Sequence, residues 1–138
     1  MRNALLSIFL FLVFVLAGCA GGSSAPTTTS KMEEIPLTHE EMVATRTNTI
    51  IVYEMPNGDH GKSVFGSDGS VKSTYYYGGS SESDVGSVTL PKDNIACLKW
   101  KKWPDDCWAD YKVADNQYVG HEQGGKKRTS KWRVMPGT

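Results

Sequence analysis

The chain has 138 residues, 15 of them basic and 15 acidic, and 39% of it is apolar. That length builds one domain rather than two of ordinary size. A formal net charge of zero excludes the broadly basic surface of a nucleic-acid-binding protein, so no nucleic-acid partner is expected. The charge is unevenly spread. Lys31 to Ala96 holds five basic and ten acidic residues, and Cys97 to Thr138 holds nine basic and five acidic. The two stretches attract each other if they pack together.

Met1-Arg2-Asn3 carries one positive charge, and Ala4 to Leu16 is apolar except for Ser7. This run is shorter than the ~20 apolar residues of a membrane-spanning helix and has the form of a secretory signal peptide. Leu16-Ala17-Gly18-Cys19 follows and resembles the lipobox of bacterial lipoproteins. The resemblance implies cleavage after Gly18 and acylation of Cys19, by diacylglycerol and a further chain such as palmitate. Each buried methylene contributes ~0.8 kcal/mol, so several acyl chains anchor stably. Ala20 stands where lipoproteins kept in the inner membrane often carry Asp. The same resemblance therefore implies the outer membrane, facing the periplasm. We divide the chain into a signal peptide (1–18), a lipidated Cys with a flexible tether (19–34) and a single β-rich domain (35–138). Gly21 to Ser30 lacks apolar residues to bury, as a tether should.

Within the domain, Thr38 and Glu41 have capping-box spacing, with Leu37 and Met42 placed as a hydrophobic staple. This predicts one or two helical turns over His39 to Ala44. Turn signals then recur every eight to twelve residues, the spacing of an antiparallel meander. Strands are predicted at Thr49–Glu54, Lys62–Phe65, Val71–Tyr77, Val85–Leu90, Ile95–Trp100, Cys107–Val113, Tyr118–Glu122 and Lys131–Val134. Tyr75 and Tyr77 should share one face and Tyr76 the other. Gly78 to Ser83 is expected to be a mobile loop. The fold expected is mainly β, about eight short strands in a small lipocalin-like barrel or curved sheet, with one short N-terminal helix.

Once Cys19 is assigned to lipid, Cys97 and Cys107 remain. In an oxidising compartment, a pair so close in sequence should form a disulfide. A zinc site wants four ligands, usually in tighter pairs. A redox pair usually has C-x-x-C spacing. The run Phe65-x-x-Asp68-Gly69-x-Val71, Gly86-Ser87-Val88, Cys97-x-x-Trp100 and Cys107 with Trp108 and Tyr111 resembles domain-of-unknown-function family 995. The chain departs from that pattern at Val88, where the family carries Trp. The resemblance implies a β-rich, lipocalin-like meander with a Cys pair, and no activity.

No catalytic constellation, cofactor or metal site is read from the sequence. His39, His60 and His121 lack partners at metal-ligand spacing. Gly66-Ser67-Asp68-Gly69 lacks the strand-to-helix setting of a nucleophile elbow. Asp105-Asp106 is a carboxylate pair, expected to cap a hairpin loop. The candidate partner-binding face is Lys99, Trp100, Lys101, Lys102 and Trp103, cations interleaved with aromatics. Its partner would be an anionic envelope component or protein. The alternative is a solvated outer face with Lys stems over indole rings.

The leading expectation is thus a non-enzymatic, membrane-anchored envelope lipoprotein that binds a partner or serves a structural role. The alternatives are an inhibitor of lysozyme-type enzymes, or a carrier of a small apolar ligand. A barrel filled by Tyr, Trp and Phe would exclude the carrier.

Overall fold

The computed structural model describes residues 31–125 and 127–136. The predicted signal peptide, the lipidation site Cys19 and the tether up to Ser30 lie outside the described residues. The described chain runs β1 (Ile35–Pro36), α1 (His39–Thr45), β2 (Thr49–Glu54), β3 (His60–Phe65), β4 (Ser70–Tyr77), β5 (Ser80–Lys92), β6 (Ile95–Trp100), β7 (Asp106–Ala114), β8 (Gln117–Glu122) and β9 (Thr129–Pro136).

Strands β2 to β9 pair antiparallel in sequence order, and β9 returns to pair with β2 from Thr49↔Pro136 to Glu54↔Lys131. The result is a closed eight-stranded up-and-down barrel, which leaves no long open edge. The short β1, not anticipated from sequence, extends the sheet along the far half of β7, with Ile35 opposite Lys112 and Pro36 opposite Tyr111.

Alternation explains the strands. In β3, Gly61, Ser63 and Phe65 are buried while His60, Lys62 and Val64 are exposed. In β4, Val71 and Ser73 point inward and Ser70 and Lys72 outward. Such period-2 patterns fix one face to the barrel interior, because a one-residue slip would bury lysines. Gly61 has a specific duty: a Cβ there would overlap the Tyr53 ring, which crosses it from the paired position on β2.

The predicted helix forms with both caps. The Thr38 N–H donates to Glu41 Oε2 at 2.9 Å, and the Glu41 N–H donates to Thr38 Oγ1 at 3.3 Å. The staple residues Leu37 and Met42 are buried and join Ile51, Phe65, Val71, Ala96 and Trp132 in the core. The helix directly precedes β2, so this core fills and closes one end of the barrel. Among the described residues no helix is long and apolar enough to cross a membrane.

One expectation is corrected. Gly78 to Ser83 is not a loop. Only Gly78 and Gly79 turn the chain, at φ of 52° and 79°, and β5 begins at Ser80, paired with Tyr77. Two glycines at positive φ make a tight hairpin turn that needs no further loop residues. The polar run beyond is held by cross-strand bonds, Thr74 to Ser83 at 2.8 Å and Tyr77 to Glu82 at 2.7 Å. Its serines and acids misled because they lack the apolar half of a strand pattern.

Candidate functional site: an aromatic cup at the open end

The end opposite α1 is not filled. Between the strands lies a cup of about 700 Å³, reached between the β2–β3, β4–β5, β6–β7 and β8–β9 connections. This falls in the range of small-molecule sites, roughly 300–1,000 Å³.

The floor is a buried ion pair. Arg46, at the end of α1, meets Asp110 of β7, and both side chains are almost wholly buried. The Arg46 guanidinium also donates to Thr45 Oγ1 at 2.8 Å and lies 4.9 Å from the Trp132 ring centroid. Asp110 accepts from the Trp132 indole N–H at 3.2 Å. Burial pushes the Asp110 carboxyl up to about 6, with Arg46 and Trp132 pulling it back.

One wall is a tyrosine ladder. Tyr53 stacks on Tyr75 with centroids 6.4 Å apart, and Tyr75 on Tyr77 at 5.6 Å. Tyr75 and Tyr77 share the inner face of β4, as alternation predicted, while Tyr76 stacks outside on His60 at 5.1 Å. The Tyr75 hydroxyl donates to Asp59 at 2.7 Å and the Tyr77 hydroxyl to Glu82. Desolvation and then the bond to Asp59 push the Tyr75 phenol up to about 12, so it stays a neutral donor.

The opposite wall is indole. Trp100 and Trp103 are tilted rings 5.2 Å apart. Trp100 and Trp108 both donate their indole N–H to Asp106, at 3.1 and 2.9 Å. Burial raises the Asp106 carboxyl, and those donors and Arg128 oppose it. Arg128 sits 5.4 Å from the Trp108 ring and grips Glu122 through Nε and Nη2, both at 3.0 Å. This bidentate bond to Glu122 holds the Arg128 guanidinium above its ordinary value.

Asp84 positions the mouth. It is buried on the inner face of β5 and accepts the backbone N–H groups of Lys102 at 2.7 Å and Trp103 at 2.9 Å. Burial alone would push its carboxyl up. The N–H donors of Trp103, Lys102 and Val85 outweigh this and hold it below the ordinary carboxylate range. The β6–β7 connection is thereby tied down and Trp103 set at the rim.

The five residues expected to form one partner-binding face divide between two surfaces. Trp100 and Trp103 line the cup. Lys99, Lys101 and Lys102 are exposed outside, and the Lys102 ammonium reaches only the Ser83 carbonyl at 3.4 Å. The strand period turns Lys99 and Trp100 to opposite sides, and beyond the end of β6 the bend held by Asp84 leaves Lys101 and Lys102 exposed and sets Trp103 on the cup. The carboxylate pair divides as well. Asp105 caps the hairpin through the Trp100 backbone N–H at 3.0 Å, as expected, but Asp106 faces inward. Cys97 and Cys107 stand opposite each other on β6 and β7, Cα atoms 4.0 Å apart and sulfurs at disulfide distance. They staple the hairpin that carries the indole wall.

The histidines do not gather. His39 starts α1, His60 stacks on Tyr76, and His121 bonds Thr129 at 3.2 Å and Glu34 at 2.9 Å. Among the described residues no cluster of three or more His, Cys, Asp or Glu could hold a metal. Sequence reading missed Tyr53, Asp59, Glu82, Asp84, Glu122 and Arg128 as site residues. The available signal was β5, where Glu82 and Asp84 share a period with Gly86, Val88 and Leu90 and must therefore face the interior. Comparison with protein-family models, curated proteins and solved structures finds no match for this chain.

Proposed function

We propose that this is a non-enzymatic binding protein of the cell envelope, anchored through acylated Cys19, whose barrel holds a small molecule in the open cup. The lipobox resemblance supports the anchor and the outer-membrane, periplasm-facing location. The likeness to family 995 is consistent with this reading but implies no ligand. The observation that carries the binding role is the unfilled end of the barrel. The aromatic side chains at that end line its walls rather than fill it. The lining is mainly apolar with carboxylates placed among the rings, so the ligand is amphipathic and not a simple hydrocarbon. Lys99, Lys101 and Lys102 lie beside the cup and suit a second, anionic contact at the envelope. Among the described residues no nucleophile–base pair lines the cup, which favours binding over turnover.

The test follows the indole N–H signals of Trp100 and Trp108 by NMR while a panel of one- and two-ring compounds is titrated. Binders should move both signals, and Leu98→Trp, which thickens the inner wall, should weaken them. A panel that leaves both signals still at millimolar concentration would refute the reading.

A further inference from the structure

We infer that the cup selects an organic cation: a flat or apolar body carrying an amine, quaternary ammonium or guanidinium group. The inference rests on the cup being a ligand site and names what enters it.

The first ground is hydrogen-bond accounting. Among the described residues most of the phenol and indole donors on the cup wall are engaged with protein acceptors; the Trp103 indole N–H and part of the Arg46 and Arg128 guanidiniums are not. Tyr75 and Tyr77 donate to Asp59 and Glu82, Trp100 and Trp108 to Asp106, Trp132 to Asp110, and Arg128 to Glu122 and Asp106. Tyr53 is paired with Ser73 at 3.2 Å. No buried side-chain polar atom among the described residues lacks a partner. A carboxylate oxygen accepts more than one bond, whereas a phenol or indole N–H, once given, is spent. The cup thus retains acceptor capacity on its six carboxylates, while its remaining donors are confined to Arg46, Arg128 and Trp103. An anionic ligand finds few donors and a surplus of carboxylates there, while a donor-rich cation finds acceptors on several sides.

The second ground is the ring faces. Tyr53, Tyr75, Tyr77, Trp100 and Trp103 line the space, so a ligand within it is surrounded by aromatic rings. Such faces attract cations, most strongly where water is excluded. Arg128 already shows the preference, resting over Trp108 at 5.4 Å. The third ground is the charge of the lining, six carboxylates against the two guanidiniums of Arg46 and Arg128 among the described residues. Low-dielectric walls focus such an excess onto whatever enters.

Three probes of one shape test it by calorimetry on the purified full chain: 2-naphthylmethylamine, 2-naphthalenemethanol and 2-naphthoate. The amine should bind about tenfold tighter than the alcohol, as a partly desolvated cation–π contact allows, and the naphthoate weakest. The variant Glu82→Gln keeps an acceptor for the Tyr77 hydroxyl and removes one rim charge. It should weaken the amine about threefold more than the alcohol, a charge-selective loss that misfolding would not produce. If the alcohol or naphthoate binds as well as the amine, the cation selectivity is overturned while the cup remains a site. If none of the three binds, the cup itself is wrong and the inference falls with it.

Discussion

At the closed end of the barrel, Leu37 and Met42 are 1% and 0% exposed; at the open end, Tyr77 keeps 38% of its surface in water. The same eight strands build both ends. At one, a short capped helix supplies the missing apolar volume. At the other, the rings lie along the walls, with their polar tips tied to carboxylates. Burial at the first end serves stability. The second end forgoes part of that burial and keeps a space. The difference separates what holds the fold from what the fold holds.

That separation can be broken by mutation. The largest effect should come from the floor. Asp110→Ala leaves the Arg46 charge buried without its partner and should cost about 3–5 kcal/mol in urea denaturation. The same group sets a pH dependence. Its folded value of about 6 lies above the ordinary 3.8, so the folded state holds the proton more tightly. Its contribution is complete below the lower value and is lost as pH rises through the higher one. Stability should therefore decline across that interval, and Asp110→Asn should flatten the decline. A wild-type profile that rises there would reverse the assignment.

The staple comes next. Replacing Cys97 and Cys107 together by Ala should cost up to ~3 kcal/mol, because the closed loop is short. It should also loosen the indole wall, visible as weaker near-ultraviolet circular dichroism from Trp100 and Trp108. At the helix, Thr38→Ala removes an N-cap and should cost ~1 kcal/mol. The smallest change in stability should follow Trp103→Ala at the rim. We expect a loss under about 1 kcal/mol there, with cup binding weakened at least fivefold. If Trp103→Ala destabilised the barrel as much as Asp110→Ala, the two ends would not differ in the way described.

The fold was more legible than the site. The β-branched and aromatic run Thr49–Glu54, the Asp68-Gly69 turn and the alternation in Lys62–Phe65 each specify local structure with little help from elsewhere. The Thr38–Glu41 capping box and the Leu37–Met42 staple do the same for α1. The site is assembled from residues far apart in the chain. Asp106 meets Arg128 across 22 positions and Asp84 meets Trp103 across 19. Such pairs leave no periodic trace. The interleaved run from Lys99 to Trp103 read as one surface because adjacency in sequence was taken for adjacency in space; the strand period separates Lys99 from Trp100, and the bend after β6 separates Lys101 and Lys102 from Trp103.

By itself, then, the sequence determined the eight barrel strands and their antiparallel order, the capped helix and the pairing of Cys97 with Cys107, since these rest on contacts close along the chain; β1, which pairs with distant β7, it did not. Only the tertiary structure decided that β9 closes onto β2, that Arg46 meets Asp110, and that the other end stays open. Closure depends on the summed twist and stagger of all eight strands. An unfilled volume is a property of how those walls meet, and no single segment encodes it.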